Sequence, residues 1–139
     1  MNVLVDTSVW SLAVRRKPGD LSVAERSTVA ELEELIAEGR VRITGAIRQE
    51  LLSGIKLHQQ FERLRAFLAA YTDEPVATAD YEAAAKAGND CRGKGIVVSP
   101  IDILICAIAT DRGWSIYSTD PDFANYAKVL PMRLHSARR

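Results

Sequence analysis

The sequence predicts an α/β domain with three layers, helix, sheet and helix, built on a mostly parallel central sheet. Short runs of strand-forming residues alternate with longer segments of helical periodicity. No two strand runs are joined by a hairpin turn, so successive strands need crossovers and pair in parallel. The 139 residues suit one domain with one core, and no linker, repeat or low-complexity tract divides them.

Residues 2–6 (NVLVD) are the first strand. Ser22 and Glu25 have capping-box spacing, and Val29, Leu32, Leu35 and Ile36 recur behind them at helical intervals. Gly39 supplies the stop. Residues 41–44 alternate as a short strand, and residues 45–54 follow as a helix with Ile47 and Leu51 inward. Leu57, Phe61, Leu64, Leu68 and Tyr71 mark an amphipathic helix that Pro75 breaks. Alanine-rich residues 78–89 read as another helix, with a loop at residues 92–95. Pro100 behind Ser99 is a favoured helix start. The helix it opens (ILICAIA) is apolar all round and belongs in the core. Residues 114–119 are a strand, Asp120-Pro121 turns the chain, and residues 129–134 supply a last strand interrupted by Pro131.

Composition narrows the function classes. At 47% hydrophobic and 26% charged, the chain is neither disordered nor fibrous. Its longest apolar run, residues 103–109, is too short to cross a bilayer. The first strand is preceded by neither a basic n-region nor an apolar h-region, so cytoplasm is the expected compartment. Cys91 and Cys106 lack metal-ligand spacing, and His58 and His135 stand alone, which argues against zinc and against a His-dependent triad. Basic and acidic residues number 18 each, so bulk electrostatics will not coat nucleic acid. A local acidic pocket with a basic rim remains compatible with that balance.

Five acids stand where such a pocket would form, beyond the carboxyl ends of parallel strands. Asp6 ends the first strand, Glu50 lies in the helix after the second, and Asp102 heads the apolar helix. Asp120 follows the strand at residues 114–119, and Asp122 is two residues on. Each has a local explanation. Asp6 can cap the turn at Thr7 and Ser8, Asp102 can complete a capping box with Ser99, Asp120 can cap a helix, and Glu50 can be solvated. Together they say more. If the strands are neighbours, carboxylates converge from four segments, and their repulsion calls for a hard cation with oxygen ligands, Mg2+ or Mn2+. Such a site suits phosphodiester hydrolysis. Ser8, Ser118 and Thr119 are candidates to hold water or phosphate there. Arg15, Arg16 and Lys17, and also Arg92 and Lys94, are candidates to meet a nucleic-acid backbone.

The segments VLVDTSVW, RQELLSG, SPIDILICAIA and YSTDPDFANY resemble those of the PIN-domain ribonucleases, most of all the VapC toxins of type II (VapBC) toxin–antitoxin pairs. The likeness runs in order along nearly the whole chain and implies a single PIN domain over residues 1–139. It implies an acidic quartet, Asp6, Glu50, Asp102 and Asp120, that binds Mg2+ or Mn2+ and hydrolyses RNA. Asp122 matches a further acidic position and Thr119 the hydroxyl beside the fourth acid. Pro121 departs from the pattern and can re-aim Asp122, which therefore ranks below the quartet. The resemblance further implies a homodimer and a VapB-like antitoxin whose C-terminal segment places an arginine or lysine among the acids. Two other readings stay open. One is a non-catalytic PIN-like module of a protein or promoter-DNA complex. The other is an Asp-nucleophile phosphatase, although Ser8 stands where haloacid-dehalogenase-like enzymes have a second acid, and no acidic pair precedes a phospho-acceptor as in response-regulator receivers.

Overall fold

Val3, Leu4 and Val5 are wholly buried, because they form the inner strand on which the rest of the sheet is laid. A computed structural model describes residues 1–138. It contains β1 (Val3–Val5), β2 (Val41–Arg42), β3 (Ser115–Tyr117) and β4 (Arg133–Leu134), all parallel, in the order β2-β1-β3-β4. Seven helices complete the α/β fold: α1 (Thr7–Val14), α2 (Val23–Ala37), α3 (Gly45–Leu52), α4 (His58–Leu68), α5 (Thr78–Gly93), α6 (Pro100–Arg112) and α7 (Asp122–Ala127). The first crossover leaves β1 for β2 on one side, and the chain returns to β3 on the other. The order therefore reverses between β1 and β3. In open parallel sheets that reversal opens a crevice at the carboxyl ends.

Local chemistry explains most boundaries. Ser22 and Glu25 form the reciprocal capping box that starts α2, and Gly39, at φ 70°, takes the left-handed turn just beyond its end. Thr44 caps α3 through the Ile47 N–H, and Ser99 caps α6 through the Asp102 N–H. Ile103, Ile105, Cys106, Ala107, Ile108 and Ala109 of α6 are buried against α5 and the sheet, as an all-apolar helix requires.

The structure corrects the sequence reading at three places. Helix α1 replaces the turn expected after Asp6: the Asp6 carboxylate caps it, and Val9, Trp10 and Leu12 bury one face. Helix α5 continues through Arg92 and Gly93, so the expected loop begins only at Lys94. Helix α7 follows the Asp120-Pro121 turn, held by the burial of Phe123 and Tyr126. The strands are also shorter than expected, because each gives way at once to a turn or cap.

Arginines tie the helices together. Arg48 of α3 donates to the carbonyl of Leu68 at the end of α4, to that of Tyr71 beyond it, and to Asp73. Arg112 closes α6 onto the start of α5, donating to Asp80 at 2.6 Å, to Glu74 at 2.8 Å and to the Pro75 carbonyl at 3.0 Å.

Candidate metal centre

Because β1 pairs with β3 in register Val5 with Tyr117, the residues that follow both strands emerge side by side at the crevice. Asp6 leaves β1 and Ser118 leaves β3, and the two meet. The Asp6 Oδ2 accepts from the Ser8 hydroxyl at 2.8 Å, the Ser118 hydroxyl at 2.9 Å and the Ser8 N–H at 3.3 Å. Those bonds use one carboxylate oxygen of a side chain only 6% exposed and fix its orientation. The same hydroxyls organise the other strand end. The Thr119 N–H donates to the Ser8 Oγ and the Asp120 N–H to the Ser118 Oγ, each at 3.0 Å.

Asp120 in turn accepts the Asp122 N–H at 2.9 Å. Pro121 is the residue that precedes α7, and it sets Asp122 in the first turn of that helix. The result is a close acidic group: one carboxylate oxygen from each of Asp102, Asp120 and Asp122 lies within 4.8 Å of the others. The proline that the sequence reading took as a reason to discount Asp122 thus sits in a turn that brings it beside Asp120. Asp6 and Glu50 stand outside this group of three, on its flank. Glu50 is exposed on α3, and its Oε1 accepts the Thr7 hydroxyl at 2.8 Å.

Asp102 and Asp120 are half-buried and Asp122 is exposed, and Asp102 reaches the group from the apolar helix α6. It does not complete the expected reciprocal capping box; its Oδ2 accepts the buried Tyr126 hydroxyl at 3.2 Å instead. Burial pushes its carboxyl up, to about 6, and the charges of Asp6, Asp120 and Glu50 push the same way, while the Tyr126 hydroxyl opposes them. Burial also raises the Tyr126 hydroxyl, and the charge of Asp102 adds to that. Ser118 was a candidate to hold water or phosphate and instead orients Asp6; Thr7 and Tyr126 were assigned no role at this site from sequence, where nothing but proximity to the acids marks them.

The donor set fits a hard divalent cation: carboxylate oxygens from separate elements, crowded enough to repel, at a partly buried edge. A test of the Asp102 environment, its burial first and the neighbouring charges second, needs no cation. Asp102 ordinarily titrates near 3.8, and the fold raises it to about 6. The fold therefore favours its neutral form, a stabilisation present below about pH 4 and lost as pH rises through about 6. In EDTA, Asp102→Asn should melt with the wild type near pH 4 and several degrees above it at neutral pH. A gap independent of pH would contradict the raised Asp102 carboxyl.

A cavity of about 1060 Å3 lies elsewhere and is lined by none of the five acids. It is a groove among α1, α2 and α4, floored by Trp10, Leu32, Leu64 and Phe67 and rimmed by Arg16 and Lys17. We take the acidic crevice, not the groove, as the reactive site, because only the crevice gathers groups able to act on a bond. Arg15 also borders the groove but sends its guanidinium to carbonyl oxygens of residues 50–53.

Comparison with known proteins agrees with this architecture. The sequence model of the PIN domain matches residues 3–129. Comparison with curated proteins returns no match. Among solved structures, the chain is similar to the VapBC2 complex from Rickettsia felis bound to a promoter DNA fragment, at TM-score 0.76 and 18% identity over 97% of this chain and 98% of that one. FitAcB from Neisseria gonorrhoeae matches at TM-score 0.76 and 18% identity over 97% of both chains. A toxin–antitoxin complex from Klebsiella pneumoniae matches at TM-score 0.66 and 17% identity, over 96% of this chain and 100% of that one. At such identities the likeness is one of fold.

Proposed function

The chain belongs to the PIN domain family, and from that premise we propose that it is a Mg2+- or Mn2+-dependent endoribonuclease, the toxin of a VapBC-type toxin–antitoxin module. The observation that carries this reading is the meeting of Asp102, Asp120 and Asp122 carboxylate oxygens at the carboxyl edge of the sheet. Those three would hold the cation, with Asp6 and Glu50 completing the acidic lining from the flank. When bound, the cation supplies positive charge against the phosphoryl oxygens and acidifies a water.

The chain's own residues do the rest. Ser8 and Ser118 hold Asp6 in one orientation, and Tyr126 does the same for Asp102, so little reorganisation is needed when substrate arrives. The free Asp6 Oδ1 and the Asp122 carboxylate are the oxygens available to orient an attacking water. Arg16 and Lys17 are exposed past the end of α1 and serve the RNA backbone. Thr119 stays an auxiliary: its backbone N–H bonds Ser8, which leaves its hydroxyl for phosphate or water.

The toxin reading draws on the structural neighbours, one of which is named a toxin–antitoxin complex and another VapBC2 bound to promoter DNA, together with the VapC resemblance of the sequence. An antitoxin of VapB type would place a basic side chain among the acids and apolar side chains in the α1–α2–α4 groove. Trp10, on the floor of that groove, carries in its Nε1 the one buried side-chain polar atom among the described residues without a partner. We extend the reading to a homodimer acting in the cytoplasm. No helix among the described residues is long and apolar enough to cross a membrane.

The test is incubation with a panel of transfer, ribosomal and messenger RNAs. Cleavage is expected with Mg2+ or Mn2+ and none in EDTA. Cutting that persists in EDTA, or an intact panel under every metal condition, would rule against the enzyme and favour a non-catalytic PIN module.

A further inference from the structure

Helix α3 ends, as all helices do, with carbonyl oxygens that have no partner within the helix. Its last turn carries Glu50, and its C-cap residue is Ser53. The partner for those carbonyls comes from outside. The Arg15 Nη2 lies 3.1 Å from the Glu50 oxygen, 2.5 Å from that of Leu51 and 2.8 Å from that of Ser53. Two N–H hydrogens thus serve three acceptors, and a guanidinium charge sits at the negative end of the helix dipole.

Arg15 is itself the C-cap residue of α1. At the other end of α1, Thr7 donates its hydroxyl to the Glu50 carboxylate, and Asp6 is the N-cap. One helix of eight residues, about 12 Å long, therefore touches Glu50 at its carboxylate and at its backbone while starting from Asp6. The front of α3 is held independently by the Thr44 cap and by buried Ile47. In the last turn Leu51 is buried, Ser53 donates to the Gln49 carbonyl and Ile55 to that of Leu52, while the Glu50 and Leu51 carbonyls have Arg15 as their partner.

We propose that Arg15 is a positioning residue for Glu50, acting through the end of α3 and not on RNA. This rests on the metal reading above and deepens it. Without the guanidinium the Glu50 and Leu51 carbonyls lose their partner and the turn loosens around exposed Glu50, whose carboxylate must then be ordered each time a cation binds. Partners one layer behind metal ligands typically carry 10–100-fold in metal affinity; Glu50 lines the site from the flank and keeps its Thr7 hydrogen bond, so Arg15 belongs at the lower end of that range.

The experiment is titration calorimetry of the full chain with Mn2+ in four proteins: wild type, Arg15→Met, Glu50→Gln and the double variant. Arg15→Lys serves as the conservative rescue. Arg15→Met is expected to weaken Mn2+ binding about tenfold, with Arg15→Lys intermediate. In the Glu50→Gln background the same change should cost less than about twofold, because the residue it positions no longer contributes a charge. Equal weakening in both backgrounds, or none in either, overturns the proposal. Should Arg15→Met fail to fold, the cycle is run with Arg15→Lys and judged on whether its smaller loss disappears with Glu50. No Mn2+ uptake by the wild type is a different outcome: it removes the metal site itself, and this inference with it.

Discussion

Asp102→Asn is expected to lower Mg2+-dependent RNA cleavage by about a thousand-fold while leaving a folded protein. Asp102 is the member of the acidic group that reaches the site from the core, on the first turn of a helix buried along its length. The other two, Asp120 and Asp122, are neighbours on one turn and cannot by themselves surround an ion. An amide in place of the carboxylate removes a charged oxygen ligand. A cation that stabilises the transition state by about 4 kcal/mol accounts for about three powers of ten when it is lost. The variant carries its own control, since removing a crowded charge should raise the melting temperature of the metal-free protein at neutral pH. Activity and stability are thus predicted to move in opposite directions. A general folding defect would move both down, and cleavage equal to wild type would remove Asp102 from the site.

The largest stability effect should come from Arg112→Met, at about 3 kcal/mol, because removing one partner strands a buried charge. The charge is that of Asp80, whose side chain is 7% exposed and whose carboxyl receives two Arg112 nitrogens, at 2.6 and 3.1 Å. Asp80 also accepts the Ala77 N–H at 2.8 Å, so it fastens the start of α5 to the end of α6. For a chain of this size that loss corresponds to a melting temperature lower by about 6–12 °C. The pH dependence gives a second handle. The Arg112 hydrogen bonds hold the Asp80 carboxyl below its ordinary value of 3.8, with the Ala77 N–H helping and burial opposing. The stabilisation is therefore present above about pH 4 and fades as pH falls through the depressed value. The gap between wild type and variant should narrow in acid, as thermal denaturation across that range would show. A gap that stays constant would mean that Arg112 acts through packing alone. RNA cleavage should be little changed at a temperature where both proteins are folded, since Arg112 lies at the far end of α6 from Asp102.

What the sequence made visible was the ends of elements, because a strand run that stops on Asp is a local pattern. Asp6 and Asp120 follow apolar strands, and the pairing of Val5 with Tyr117 explains why both arrive at one edge. Ser99-Pro100 and Ser22-Glu25 announced their helices for the same reason, since caps are short-range chemistry. Helix α1 was hidden because Thr7–Val14 is rich in β-branched and aromatic residues; the Asp6 cap was legible as a turn, but its continuation as a helix comes from burying Trp10, which is a tertiary fact. Helix α7 is six residues long and draws its stability from Phe123 and Tyr126 packing inward. Asp122 was discounted because a proline looks like a disruption. In the fold it is the turn that carries Asp122 to its neighbours. Arg15 read as a surface cation because the carbonyls it serves are more than thirty residues away.

The account depends on one cation sitting where the acids converge. Crystals soaked in MnCl2 test this most directly, through anomalous scattering at the manganese edge. An anomalous peak about 2.1 Å from carboxylate oxygens of Asp102 and at least one of Asp120 and Asp122 is the predicted result. A map with no peak at saturating manganese, or with peaks only on acids remote from Asp102, would contradict it.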